Sequence, residues 1–432
     1  MTNFEKCLSK KGRRKNSVAV IGALFGDEGK GRITDELTSH FLKSFKKVIV
    51  YRDNGGSNAG HVVSVGDKKI DLHQIGSGIL QKGCIVILGK GMVIHPLDLV
   101  KEMEVIKETF GYKDLPADLK IDETSTLCLD THRAFEGVLK DADLGSFGAK
   151  ASTGRGISPA YADILYRFPV TMKDFLSRNW KDILSAHYAR YEKWIKGMGG
   201  DLKNVKVKRF RDSDSKVGSR DVFLRNLEYS RKVLKNYSED IHDFLEKEWK
   251  GSTPFVFEKA QGVGIDTRWA VYPDSTASNC CLDGITSSTE GVINANDISA
   301  RIGVIKSTYT SSVGKRMLPT MMKGKYADRI RKDANEYGAT TGRPRDIAYM
   351  DTVMLKYFCQ AGGIEELAFT HMDIVYNEPV KICTGYLVNK KRAGYRPYQW
   401  YLDLIKPVYK NFKPWKGEKL KNRRNLEDLQ EN

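Results

Sequence analysis

The chain has no stretch of 18 uncharged residues apolar enough to cross a membrane as a helix. Its first sixteen residues, "MTNFEKCLSKKGRRKN", carry charge but lack the apolar segment of a secretory signal; residues 1–16 are expected to be a disordered basic tail. Cysteines are few: the seven, at positions 7, 84, 128, 280, 281, 359 and 383, form no C-x-x-C pair. An odd count without ligand spacing argues against a disulfide framework and against zinc, and fits thiols in a reducing cytoplasm. The adjacent Cys280 and Cys281 do not change this, because neighbouring cysteines rarely reach disulfide geometry. Proline numbers only 12 in 432 residues, and neither proline nor glycine gathers into a linker. Internal repeats and low-complexity blocks are also missing. These absences point to one domain over residues 17–432, and a 41% hydrophobic content suffices for its core.

What the chain has in excess is positive charge, +17 at pH 7. Such a surface can bind nucleic acid, or it can draw small anions toward a cleft. The densest basic clusters, residues 10–15 and 416–424, lie at opposite ends and are not interleaved with aromatics as a base-stacking platform would be. Solvated ends and a general positive field are the favoured reading, with no membrane or specific nucleic-acid partner.

Short apolar runs recur at 18–21, 48–51, 85–88, 254–257, 302–307 and 367–370. Helical patterns fill 97–109, 172–196, 222–250 and 351–360, and the polar stretch 206–220 reads as an exposed loop. Strands alternating with helices predict an α/β fold with a large, mainly parallel sheet covered on both faces. A helical insertion is expected at about 170–250. From about 386 the chain turns basic, aromatic and irregular.

Residues 22–32 read "GALFGDEGKGR" directly after "VAVI". Strand, glycine-rich turn and lysine suit a phosphate-binding loop, yet the usual G-x-x-x-x-G-K-[ST] fails twice. Leu24 stands where the first glycine belongs, and Gly31 stands where a Ser or Thr would hold magnesium. Four more small-residue loops accompany it: "DNGGSNAGH" (53–61), "KASTGRGISPAYADILYR" (150–167), "FEKAQG" (257–262) and "NEYGATTGRPRD" (335–346). Glycines admit backbone donors to a ligand, and Thr and Arg donate to phosphate or carboxylate. Five such loops in one chain imply a large site for several anionic groups.

Taken in order, "GDEGKG", "NAGH", "TGRGISPAY", "AQG", "YPDSTASN", "NEYGATTGR" and "THMD" resemble the adenylosuccinate synthetase family over about residues 17–386. The resemblance implies a variant P-loop fold, a homodimer, and the joining of aspartate to IMP as GTP becomes GDP and phosphate. Asp27 then matches the general base at the purine N1, and His61 the acid that stabilises charge as the phosphoryl group moves to O6. Lys30 and Gln261 complete the catalytic set. Gly26, Glu28, Gly29, Lys30, Gly31, Gly60 and His61 match nucleotide-phosphate positions, while Val62, next along, offers no side-chain donor. Asn58, Thr153, Gln261, Thr276 and Arg343 match the purine-monophosphate site, with Arg167 reaching it from the dimer partner. Thr340, Thr341, Arg343 and Arg345 match the aspartate loop, and His371 and Asp373 the guanine site. Asp27 and the Gly60 carbonyl match the Mg2+ ligands, hard oxygens that suit this ion. His73 falls at a family position and equally suits a packed histidine; Arg155 fits a loop-shaping role.

Three departures stand against the family pattern. His371 replaces the lysine of "TKxD", no "STGP"-type loop closes the C-terminus, and "TTGRPRD" replaces "TTGRRRR". ATP or dATP therefore stays open beside GTP as phosphate donor. A phage branch that makes 2-aminoadenylosuccinate from dGMP and aspartate is the alternative. The loop of that branch reads closer to "GSTGKG", so the retained Asp27 favours IMP. A basic nucleic-acid-binding NTPase would need neither "NAGH" nor "ATTGR".

Overall fold

The run "VAVI" becomes the middle of β1 (Arg14–Gly22), with Val18, Ala19, Val20 and Ile21 all fully buried. A strand buried on both faces has no polar side to alternate with, hence its continuous apolar sequence. Val18 and Val20 join one hydrophobic core with Val48, Val50 and Val256, while Ala19 and Ile21 join a second with Ile49, Phe255 and Phe257. The computed structural model describes residues 3–141, 153–211, 213–312, 316–337 and 344–417.

Eight strands form the central sheet, in spatial order Ser238–Glu239, Asp118–Asp122, Cys84–Leu88, Val48–Arg52, Phe255–Glu258, β1, Ile298–Lys306 and Glu366–Thr370. Every pairing in it is parallel, so the carboxyl ends of the strands share one edge. Ligand sites of open α/β sheets form at that edge. The six apolar runs of the sequence all lie in this sheet. Two strands had no such signal: "DLKID" at Asp118–Asp122 is half polar, and Ser238–Glu239 is a two-residue edge.

That edge strand also divides the expected helix at 222–250 into Arg220–Leu234 and His242–Lys250. Likewise 172–196 divides at residues 177–179 into Met172–Leu176 and Trp180–Gly197, the first opened by a Thr171–Asp174 capping box. The loop 206–220 contains a small antiparallel pair, Lys206–Val207 with Ser215–Lys216. None of the described helices is long and apolar enough to cross a membrane.

Both chain ends depart from expectation. Residues 3–16 are not a disordered tail: α1 (Asn3–Cys7) leads into β1, and their charges find partners. Arg13 donates both terminal nitrogens to the Glu365 carboxylate at 2.7 Å, and the Arg14 guanidinium lies 4.7 Å from the Trp249 ring. Residues 380–412 are ordered rather than irregular. Val380–Val388 pairs antiparallel with Lys391–Ala393 and with Lys406–Phe412.

Candidate active site

The loop after β1 explains its own departures from the standard phosphate-loop spacing. A Cβ on Gly22 would lie 2.3 Å from the Gln261 carbonyl oxygen, so the strand can end there only in glycine. Gly26, Asp27 and Gly29 then take positive φ (92°, 56° and 95°), turning the chain into α2 (Lys30–Leu42), which has no side-chain N-cap. Gly31 stands where Ser or Thr is usual because a Cβ there would approach the His61 Cβ and the Ser77 Oγ to 2.9 Å. The unusual glycine makes room for the histidine.

The two acids of the loop have opposite surroundings. Glu28 is 2% exposed and Asp27 45%. The Glu28 carboxylate accepts from the Leu24 and Gly26 backbone N–H groups at 3.2 and 2.7 Å and from Lys30 Nζ at 2.9 Å. Glu28 therefore fills part of the cradle as an internal anion, and both its oxygens are committed. From the neighbouring strand end, Thr370 Oγ1 donates to the Glu28 carbonyl at 2.6 Å, tying "THMD" to the loop. Asp27 stands outside, its Oδ2 2.5 Å from an Arg345 terminal nitrogen. Another Arg345 nitrogen donates to Glu336 at 2.8 Å, and Glu336 also receives Lys306 Nζ and the Tyr309 hydroxyl at 2.5 Å. Burial pushes the Glu336 carboxyl up, but Lys306 and its hydrogen bonds prevail and hold it near 2.

His61 lies in a second buried cluster. Its Nδ1 is 2.5 Å from Glu258 Oε1, with both side chains almost wholly enclosed. Ser77 donates its backbone N–H to Glu258 Oε2 at 2.8 Å and its hydroxyl to Oε1 at 2.5 Å. Burial raises the Glu258 carboxyl, yet His61, Arg52 and Ser77 together bring it to about 2. Burial also lowers His61 below the ordinary imidazole value, against the pull of Glu258.

Other predicted site residues gather nearby. Gln261, at φ 57°, donates through Nε2 to Asn58 Oδ1 at 3.2 Å and accepts from Ser278 Oγ at 3.0 Å. Thr276 is half-buried, its Oγ1 without a hydrogen-bond partner among the described residues. Gly60 directly precedes the strand His61–Val65. Thr153 is exposed, and Thr340, Thr341 and Arg343 lie outside the described residues. Arg155 is buried beside Arg133, 3.6 Å from Asp98, with one guanidinium nitrogen on the Lys208 carbonyl. His73 packs edge-on against Phe210, and burial lowers it to about 4.

Arg167 is not brought to this group. It sits at φ 68° on an exposed turn beside Ile164, Leu165 and Tyr166, which are 40%, 83% and 63% exposed. At the expected base site, burial and then Lys306 lower His371 to about 4, so it is neutral, and its Nδ1 lies 3.2 Å from the Tyr309 hydroxyl. The C-terminal segment returns here: the Trp415 indole N–H donates to the Met372 carbonyl at 2.6 Å, and a Cβ on Gly417 would meet the Asp373 carbonyl at 2.8 Å. The C-terminal segment thus packs against the "THMD" stretch.

Glu258, Ser77, Glu336 and Trp415 were not singled out from the sequence. Glu258 was visible within "FEKAQG" as an acid at a strand's carboxyl end, though its partner lies 197 residues away. The hard oxygens at Asp27 and Gly60 fit a magnesium ion, since Glu28 is fully engaged and unable to compete. The buried trio His132, Asp163 and His187 does not fit a metal. His132 Nδ1 accepts the Leu129 N–H at 2.8 Å, which leaves Nε2 protonated toward Asp163 at 3.0 Å, with no lone pair for an ion.

Known proteins are similar to this chain in sequence and fold. The family profile for adenylosuccinate synthetase matches residues 19–432. The adenylosuccinate synthetase of Clostridium acetobutylicum is 33% identical over 417 residues, covering 95% of this chain and 90% of that one. That of Streptococcus gordonii is 33% identical over 419 residues, covering 96% and 91%. The fully ligated adenylosuccinate synthetase from Plasmodium falciparum superposes with a TM-score of 0.81 at 25% identity, over 94% of this chain and 90% of that one. Cyanophage S-2L succinoaminodeoxyadenylate synthetase, bound to dGMP and dATP as an energy donor, gives 0.57 at 17% identity over 84% and 86%, a likeness of fold alone. Matching in sequence over nearly its whole length and in fold, the chain belongs to the adenylosuccinate synthetase family, nucleotide-dependent ligases of purine biosynthesis.

Proposed function

We propose that the chain joins L-aspartate to C6 of IMP, using GTP and Mg2+, to give adenylosuccinate, GDP and phosphate. Asp27 takes the proton from the purine N1, and electron density shifts to O6. O6 attacks the γ-phosphorus, the bond to the β-phosphate oxygen breaks, and GDP leaves while His61 stabilises the charge in transit. The aspartate amine then attacks C6, and phosphate departs carrying the former O6. Phosphorylation is needed because the bare oxygen is a poor leaving group. Magnesium, held by Asp27 and the Gly60 carbonyl, would supply positive charge to the phosphates.

The observation that carries this reading is the contrast between two adjacent carboxylates. Glu28 is sealed into the loop by Lys30 and two backbone N–H groups, whereas Asp27 is 45% exposed at a positive φ beside Arg345. Asn58, Thr153, Gln261, Thr276 and Arg343 would bind the monophosphate, and Thr340, Thr341, Arg343 and Arg345 the aspartate carboxylates. Asp373 would read the base of the triphosphate. A homodimer would bring Arg167 to the partner's monophosphate, and the exposed Ile164, Leu165 and Tyr166 around it support such a contact.

The alternative of dGMP with ATP or dATP, raised by the departures at His371 and the C-terminus, is not favoured. The retained Asp27 favours IMP. Incubating IMP or dGMP with GTP, ATP or dATP, aspartate and magnesium, and weighing the products, decides between them. Adenylosuccinate from IMP is expected; an adduct from dGMP alone would overturn the assignment.

A further inference from the structure

The segment that carries the expected aspartate loop is closed at its base by Glu336 and Arg345. The Arg345 N–H donates to the Glu336 carbonyl at 3.0 Å, and Tyr337 and Pro344 form an antiparallel bridge beside them. Arg331 Nε donates to the Arg345 carbonyl at 2.9 Å. The same two residues also meet through their side chains, Arg345 Nη1 donating to Glu336 Oε2 at 2.8 Å. The other carboxylate oxygen, Oε1, receives Lys306 Nζ and the Tyr309 hydroxyl, each at 2.5 Å. Glu336, Lys306 and Tyr309 are all buried, and Arg345 is the member of the group that reaches the rim.

The engagement of Nη1 decides which edge of the guanidinium is left. Nε and Nη2 present a parallel pair of donors, the fork that takes both oxygens of a carboxylate. Nε is buried and has no hydrogen-bond partner among the described residues. Nη2 lies on Asp27 Oδ2 and has a second hydrogen to give. A buried donor without a partner is costly, and a ligand oxygen at Nε would remove that cost.

We propose that Glu336 is the positioning residue of Arg345: holding Nη1, it fixes the guanidinium with its Nε–Nη2 edge set to take a carboxylate of the aspartate substrate. Unheld, the long arginine side chain would lose rotamer freedom each time substrate bound; the Glu336 contact removes that loss in advance. No contact between Glu336 and substrate is required. The role in substrate binding rests on the ligase reading above; the hold on Arg345 does not.

In the ligand-free protein, Nη1 and Nη2 of Arg345, assigned with Arg345→Lys, are expected to give separate 15N resonances, as a held guanidinium does. A single merged resonance in the wild type would overturn the proposal by itself, whatever the substrates prove to be. In Glu336→Gln, an amide oxygen kept on Lys306 and Tyr309 turns the NH2 against Nη1, donor facing donor. Exchange between the two resonances should then quicken, and unaltered exchange would count against the hold.

In steady-state assays Glu336→Gln should raise KM for aspartate about 20-fold, with kcat and KM for both nucleotides within about threefold. Glu336→Asp keeps the buried charge for Lys306 but is one methylene too short to hold Arg345 as well; it should raise the same constant about fivefold. An unchanged KM for aspartate in both variants would contradict the proposal, as would a rise shared by the nucleotides. In an Arg345→Ala background, Glu336→Gln should add nothing, because its target is gone. A further rise of similar size there would mean a scaffold role and overturn the assignment. Absence of any aspartate adduct from the wild type would overturn the ligase reading and with it the carboxylate assigned here. Unaltered variants beside an active wild type would overturn this proposal alone.

Discussion

The phosphate loop with its His61 cluster and the rim formed by Asp27, Arg345 and the Trp415 segment are built on different terms. In the first, each charged group has a partner from this chain: Lys30 with Glu28, His61 with Glu258, and all four side chains are buried. In the second, Asp27 is half-exposed, His371 is a neutral ring, and Trp415 from the chain's C-terminal part packs onto the Met372 carbonyl. The inner region is tied together by contacts within this chain. On the proposed function the rim would recognise the substrates, and His371 and the C-terminal segment lie there. On the same reading the inner cluster would hold the phosphates and His61, and the rim would carry the base Asp27 together with the groups that recognise the substrates.

Substitutions that strike one layer and spare the other test this division. Asp27→Ala should have the largest effect, lowering kcat by about 10³-fold or more in steady-state assays while triphosphate binding survives calorimetry. Loss of binding together with turnover would merge the two layers. Glu28→Ala strands Lys30 in the cradle and should cost about 3–5 kcal/mol of stability, read from a denaturant midpoint. Gly31→Ser, which restores the standard loop residue, should cost about 1–3 kcal/mol by forcing the hydroxymethyl group against His61 and Ser77. Trp415→Ala should act only at the rim, raising KM for the triphosphate roughly fivefold to tenfold with kcat preserved.

Acidification acts on both regions, through Glu258 behind His61 and through Glu336 beneath Arg345. The Glu258 and Glu336 carboxyls are held near 2 in the fold, below their ordinary 4.5. Their contribution is present above about pH 4.5 and is lost as pH falls from there through 2. An acid titration of stability should therefore steepen below pH 4.5, and Glu258→Gln should remove part of that slope.

The sequence displayed the sheet because strands buried on both faces must be apolar throughout, as "VAVI" is. It displayed the loops because glycine and small donors mark close backbone approach. It did not display the strand "DLKID", whose charged residues sit at the sheet's margin, nor the antiparallel part at residues 380–412, where burial recurs at every third position in Val380–Val388 rather than alternating. The N-terminal charges looked solvated because Glu365 and Glu366 are some 350 residues away in the chain. Glu258 was hidden in the same way: its value comes from Ser77 and His61, on segments that only the fold brings together.

The central claim is that O6 of the purine is phosphorylated and then leaves as phosphate. IMP labelled with 18O at the 6-position tests it directly. With aspartate, GTP and magnesium, the account predicts that each turnover transfers one 18O atom into inorganic phosphate. Unlabelled phosphate formed alongside adenylosuccinate would contradict it.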